Sequence, residues 1–432
     1  MRLSISVITI LIGFQLHAQT QSALSVDDIM AWVERGDATD VEGVISRLPD
    51  EYLENYTLVK TSRSMQGSSP TYPRAILFGR KANLILSFNG NPEDRGHGTL
   101  EMIQFRHEQN KIEFRQIDFN KSPVEISPAN PESCLRCHGK SPRPLFGTYP
   151  KWTNFYGEDL DRLDYVEGEV DLFNQYLEIK DQHPLYRYLW RDPANPYFPF
   201  QDCRVDSETE GVCWTHQYRP NDRLGLFAGF YTATMMGKDI LESENYKKYP
   251  NLMFYLTLPC ESGADNQVYF KTEKLFNSLF PKEEFPRLDR EQEEIGFEMK
   301  ELFRFGILGN RILYFAEKIF SGLDVFSWGL NSKMLPKGEV YSLGFMPFTY
   351  PLGIPIFEDQ INKDPSLAAY FVPKNFSYLH YELGGNYETR HHIALGGREN
   401  DYNDVFKIYD VYKARELCAK VRSKALQELQ GF

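Results

Sequence analysis

Past its first two dozen residues the chain has no uninterrupted apolar run long enough to cross a bilayer. The most apolar late stretch, Phe303 to Leu323, is broken by Arg304, Asn310, Arg311, Glu317 and Lys318. The sequence therefore predicts no membrane-spanning segment in the mature chain. Positive charge is also short. With 48 Lys and Arg against 60 Asp and Glu the formal net charge is −12, a balance that speaks against nucleic acid or an anionic lipid surface as partner. There is no nucleophile elbow, no phosphate-binding loop and no dinucleotide fingerprint, which excludes the usual sequence routes to hydrolase, nucleotide-triphosphatase and dehydrogenase chemistry. Internal repeats and low-complexity tracts are missing too. Cysteine is sparse, six in 432 residues, so the fold is not a small disulfide scaffold.

What is present begins at the N-terminus. Arg2, an apolar run from Leu3 to Phe14, Leu16-His17-Ala18 and then polar Gln19-Thr20-Gln21-Ser22 have the layout of a secretory signal, expected to be removed after residue 18. The mature protein is accordingly expected outside the bacterial cytoplasm, in the periplasm.

The organisation reads as α+β, with an N-terminal antiparallel meander, an irregular segment and a mainly helical remainder. Ser25 with Asp28 three residues on resembles a capping box, opening a helix to about Arg35 with Ile29, Trp32 and Val33 on one face. A second short helix is expected from Asp40 to Leu48. Short apolar or alternating runs at 75–78, 84–88, 100–107 and 112–119 predict about four strands, with turns at Asn89-Gly90 and Gln109-Asn110. From Asn120 to Trp152 neither a helical nor a strand period is visible. Helical spacing returns at 170–179, 223–242, 290–305, 310–323 and 405–430. The expected regions are a signal (1–18), a small α+β region (19–120), an irregular segment (121–165) and a mainly helical region (166–432). Aromatic residues beside Pro or Gly, as in Pro196 to Phe200 and Phe345 to Pro351, predict packed loops covering a core.

One string inside the irregular segment carries definite chemistry: Cys134-Leu135-Arg136-Cys137-His138. In a CxxCH string each thiol adds across one haem vinyl group, and the two intervening residues let both thiols reach. The histidine that follows supplies a nitrogen to the iron. With six Cys and nine His the pattern is expected by chance about two times in a thousand such chains. Covalent attachment takes place outside the cytoplasm, which agrees with an export signal. The competing readings are a zinc site, a redox dithiol and a plain disulfide. Zinc would require two further ligands, and adjacent His391-His392 point opposite ways on an extended chain. A redox CxxC belongs at a strand-to-helix turn in a βαβ unit, and nothing of that kind precedes Cys134. The string thus predicts one covalent haem c, attached at Cys134 and Cys137, with His138 as iron ligand.

At Cys134, Cys137 and His138 the chain resembles the c-type cytochromes, over this short stretch alone. In the small soluble members the motif ends an amphipathic helix near the N-terminus. Here Ser122-Pro123 and Pro128-Ala129-Asn130-Pro131 precede it, which predicts a non-helical setting and another fold. A longer pattern is similar to exported monohaem proteins: Cys137-His138-Gly139, Pro142-Arg143-Pro144, Tyr149-Pro150-Lys151-Trp152 and Tyr156-Gly157. That resemblance brings no activity with it. Lys140, Arg143, Tyr149 and Trp152 are candidates to meet the propionates, and Pro144, Leu145 and Phe146 to pack on the macrocycle. Equally, these residues hold together a tight loop.

For the sixth iron position the mature chain offers His97, His107, His183, His216, His380, His391 and His392, and among methionines Met102, Met235, Met236, Met334 and Met346. Nothing in the spacing chooses among them. Four cysteines remain. Proximity predicts a Cys203–Cys213 staple and elimination a Cys260–Cys418 bridge, worth roughly 3 and 5 kcal/mol in the chain-entropy model. Arg390-His391-His392, between glycine pairs, is either a mobile loop with a general base or a polar surface loop. The leading expectation is a periplasmic monohaem protein that exchanges electrons with a redox partner protein. The alternatives are a haem-dependent oxidoreductase, peroxidase-like or with a second substrate site, and a haem-based sensor or binding protein.

Overall fold

The structure, a computed structural model, describes residues 24–62, 64–79, 82–138, 154–158, 161–164, 166–193, 197–200, 220–257, 267–279, 346–370 and 411–432, together with Pro142, Pro144 and Asn195. The signal segment, the expected helices at 290–305 and 310–323, the segment around His391-His392, and Cys203, Cys213 and Cys260 lie outside the described residues.

The architecture is α+β. Six antiparallel strands follow one another in chain order: β1 (Tyr56–Val59), β2 (Arg74–Phe78), β3 (Leu84–Phe88), β4 (Thr99–Arg106), β5 (Lys111–Asp118) and β6 (Glu125–Ile126). The four expected strands are all there. β1 and the two-residue β6 are additional. β1 escapes a periodicity reading because all four of its residues are buried and no alternation shows. Asn110, at φ 50°, makes the tight β4–β5 turn as expected. Asn89-Gly90 does not make a two-residue turn. Instead residues 89–98 form a longer loop, pinned where the Asn89 amide donates to the Gly67 carbonyl and the Gly90 N–H to the Tyr186 hydroxyl at 3.1 Å.

Helices flank the sheet. Before it come α1 (Val26–Glu34), α2 (Val41–Ile45) and α3 (Asp50–Leu53). The reciprocal Ser25–Asp28 capping box forms as expected, and Asp40 caps α2 through the Gly43 N–H. After the sheet come α4 (Glu132–His138), α5 (Glu169–Lys180), α6 (Pro220–Glu242), α7 (Glu244–Lys248), α8 (Pro250–Thr257), α9 (Gln267–Leu279), α10 (Met346–Lys363) and α11 (Val411–Glu428). Two expectations are corrected here. The cysteine string is not irregular but forms α4. Met346 to Pro351, within the stretch expected as a loop, is helical, since α10 begins at Met346. Pro347 falls in the first turn of α10, where its missing N–H has no partner to lose. Burial of Ile356 and Phe357 then decides the remainder, as tertiary packing routinely overrides propensity. By contrast, Tyr197 to Phe200 is the packed aromatic loop that was expected, with Phe198 and Phe200 fully buried.

Period-two alternation gives the sheet two apolar faces. Ala75, Leu77, Leu84, Leu86, Phe88, Leu100, Met102 and Ile117 enter one core with α1, α2, α5 and the loop at 197–200. Ile76, Phe78, Ile85, Phe105, Ile112 and Phe114 enter a second, closed by Leu224, Phe227, Ala228 and Met235 of α6. Each Leu, Ile, Phe or Met among them contributes about 1.5–3 kcal/mol on full burial. α6 runs obliquely over this second face. Near its start Asn221 accepts from Thr57 of β1, and near its end Asn110 donates to the Met235 carbonyl at 3.2 Å. α10 packs along α6 and α8, and α11 along α8 and α9. Glu428 of α11 caps α8 by accepting from Asn251 and Leu252 N–H at 3.1 and 2.8 Å, a carboxylate at a helix N-terminus. Among the described residues no helix is long and apolar enough to cross a membrane.

Candidate functional site

Helix α4 lies on the second face of the sheet. The chain leaves β6 and continues along the outer edge of β5, where Ser127 N–H donates to the Gln116 carbonyl at 2.9 Å. Asn130, at φ 52°, turns it inward. Pro131 stands just before the helix, a position where proline needs no partner, and its carbonyl accepts the N–H groups of Cys134 (2.9 Å) and Leu135 (3.1 Å). Glu132 in the first turn, with Arg136 and His138 in the last, complements the helix dipole. Those local signals outweigh the upstream prolines, which is why the non-helical expectation fails.

On α4 Cys134 and Cys137 are one helical turn apart, and His138 is four residues from Cys134, so the three share one side. Both thiols are free and half-buried. Cys134 packs against the second core, as Ile103, Phe155 and Tyr231 do elsewhere on it. Burial, followed by the negative charge of Glu101 on β4, pushes its thiol up to about 11. A thiol so placed is a poor nucleophile, because the thiolate is the reactive form. The His138 imidazole lies against the Phe114 ring, with centroids 4.2 Å apart and planes inclined at 41°.

The other candidates divide between the two faces. His107, expected at a strand end, sits in a 3-10 turn after β4. Its Nε2 is 3.0 Å from Asn83 Oδ1, and its ring stands edge-to-face with Tyr231, the centroids 4.4 Å apart. Tyr231 and Met235 belong to the core that takes Cys134, so His107 and Met235 are on the α4 side of the sheet. Met102 faces the opposite core and is fully buried there. His183 is occupied structurally, with Nε2 3.0 Å from the Gly90 carbonyl and Nδ1 accepting the Leu185 N–H at 3.2 Å. Burial holds its pKa below the ordinary value. His97 lies on the loop at 89–98, with a buried Nδ1 that has no hydrogen-bond partner among the described residues. His216, His380, His391, His392 and Met334 lie outside the described residues, as do Lys140, Arg143, Leu145, Phe146, Tyr149 and Trp152. Pro144 is buried. Among the described residues no group of three or more His, Cys, Asp or Glu is placed to hold a metal ion. Cys418 is disulfide-bonded, its partner lying outside the described residues.

The Tyr156-Gly157 pair noted in the sequence is a keystone. Tyr156 donates to the Pro70 and Leu172 carbonyls, both at 2.8 Å, and Asn221 Nδ2 donates to the Tyr156 carbonyl at 2.8 Å. Gly157 has φ +65° and lies against Phe200 and Asp161, so any Cβ there would collide. Next to it is a cluster that sequence reasoning missed. Lys60, just past β1, pairs with Glu158 at 3.0 Å and with Glu169, the first residue of α5. The Glu169 side chain is fully buried. Burial raises its carboxyl to about 7 against the pull of Lys60. No signal marks these three residues in a chain so rich in acids, because their partnership spans more than a hundred positions. Phe114 and Asn130 were missed because their contacts, with each other and with His138, cross from the sheet to the segment that opens α4 and no periodicity links them.

Comparison with protein families, with curated proteins and with solved structures finds no match for the chain.

Proposed function

We propose that the protein is an exported monohaem c-type protein of the bacterial periplasm that exchanges electrons with a redox partner protein. Cys134 and Cys137 would hold the haem through two thioethers, each formed by addition of an S–H across a vinyl double bond with no other product, and His138 would supply a nitrogen to the iron. The observation that carries the reading is the presentation of two free thiols and an imidazole on one side of α4, against an apolar wall. The chemistry of this donor set suits covalent haem. The raised Cys134 thiol weighs against the dithiol alternative, since redox-active CxxC cysteines are held below the ordinary thiol value. Bound haem supplies a one-electron couple whose potential the axial ligands and the surrounding burial set. The chain supports it with Phe114 against His138 and with the apolar core against which Cys134 packs.

The test is intact mass and haem staining of the full chain expressed with its leader in a bacterium able to mature c-type haem. The expected result is a mass increased by one haem, a band that stains after denaturation, and loss of both in the Cys134→Ser/Cys137→Ser double variant. An unmodified mass from correctly exported protein refutes the reading.

A further inference from the structure

Phe114 lies in β5 and is almost fully buried in the second core. Its backbone is tied twice to Asn130. The Asn130 N–H donates to the Phe114 carbonyl at 2.9 Å, and the Phe114 N–H donates to Asn130 Oδ1 at 2.8 Å. Asn130 is the left-handed residue that turns the chain into α4. At the other end of α4 the Phe114 ring meets the His138 imidazole. One residue of the sheet therefore fixes where the helix starts and what its last side chain rests on. A helix of seven residues, about 10 Å long, has too few internal bonds to hold its own geometry, so its attachments set it: these two and the packing of Cys134 on the second core. An imidazole turns about two bonds, and a ring whose centroid is 4.2 Å from its own restricts both.

We infer that Phe114 is the positioning residue for His138: its ring fixes the plane of the imidazole and, with it, the direction of the coordinating nitrogen. The consequence for the iron rests on the haem reading, because outer-shell groups orient axial ligands and tune the metal. The contact itself belongs to the chain and is testable without haem.

Two measurements separate the claims. In the full-length Cys134→Ser/Cys137→Ser chain, where no thioether can form, isotope-labelled histidine allows the His138 ring protons to be followed by NMR, assigned by their loss in His138→Gln. The Phe114 ring current shifts them away from ordinary histidine positions. Phe114→Leu abolishes that shift and Phe114→Tyr retains it. In the haem-bearing chain Phe114→Leu moves the midpoint potential and the low-temperature EPR g-values, and Phe114→Tyr restores both. Haem attached, with resonances, g-values and potential alike in wild type and Phe114→Leu, overturns the inference and leaves the haem reading standing. Wild-type chain without haem overturns the haem reading, while the NMR comparison still decides the contact. Should Phe114→Leu fail to fold, ordinary His138 positions in the otherwise unchanged double-serine chain overturn the inference.

Discussion

Replacing Glu169 by glutamine removes a carboxylate that the fold buries completely at the start of α5. The group titrates at about 7 rather than the ordinary 4.5, with burial as the main cause and the Lys60 ammonium as the opposing one. Between those two values the folded protein holds a proton that the unfolded chain has released, so stability falls as pH rises through this window. At about 1.36 kcal/mol per pH unit the whole window amounts to about 3 kcal/mol. Below about pH 4.5 both states are protonated and the cost is absent. Above about pH 7 both are ionised and the cost is fully present. Glu169→Gln should therefore gain stability relative to wild type by about 3 kcal/mol on going from about pH 4.5 to pH 8. Any constant contribution of the amide cancels from that difference. His183 works in the opposite direction, because burial lowers its pKa, but it is common to both proteins and drops out. Lys60 and Glu158, which also face Glu169, remain in both. Urea unfolding of each protein at a series of pH values, extrapolated to water, measures the difference. Two stability curves that run parallel between pH 4.5 and 8 would refute the reasoning.

Other perturbations follow from single contacts. Ser25→Ala removes the hydroxyl that caps α1 and should cost about 1 kcal/mol in urea unfolding. Gly90→Ala places a methyl 2.5 Å from the ring of fully buried Tyr186, so an overpacking loss of about 1–3 kcal/mol is expected, and an unchanged midpoint would contradict it. Asn221→Ala leaves Thr57 and the Tyr156 carbonyl without their partner in a buried setting and should cost about 1–3 kcal/mol, measured the same way. In full-length Cys137→Ser chain prepared without haem, alkylation of Cys134 near pH 8 should run about a hundredfold slower than that of an ordinary thiol. The difference between about 11 and 9.0 sets that ratio.

Local chemistry was legible in the sequence wherever neighbours in the chain are also neighbours in space. Ser25 and Asp28 announce a helix start because their partners are three residues apart, and Asn110 announces a turn because its own backbone makes it. The four central strands show in their apolar runs, and the CxxCH string itself is plain in the sequence, but its three side chains share one side only because the segment folds as α4. Proline misled the reading twice, at α4 and at α10. At α4 a proline just before the helix was read as a breaker, where it is tolerated, while α10 carries Pro351 and Pro355 in its interior as well as Pro347 in its first turn.

What tertiary structure alone decided are the contacts between distant residues. Alternation marks two faces on a strand, but which core each face enters depends on α6, which begins more than a hundred residues after β5. Lys60 meets Glu169, and Asn221 meets Thr57, only because the folded chain brings those segments together. Cys134 is raised to about 11 by burial, a property of its surroundings that its neighbours in sequence do not encode. The sequence by itself determined which groups are available for chemistry. The fold decided how deeply each is buried and what each touches, because solvation and packing depend on every element at once and the covalent spacing of a motif depends on none of them.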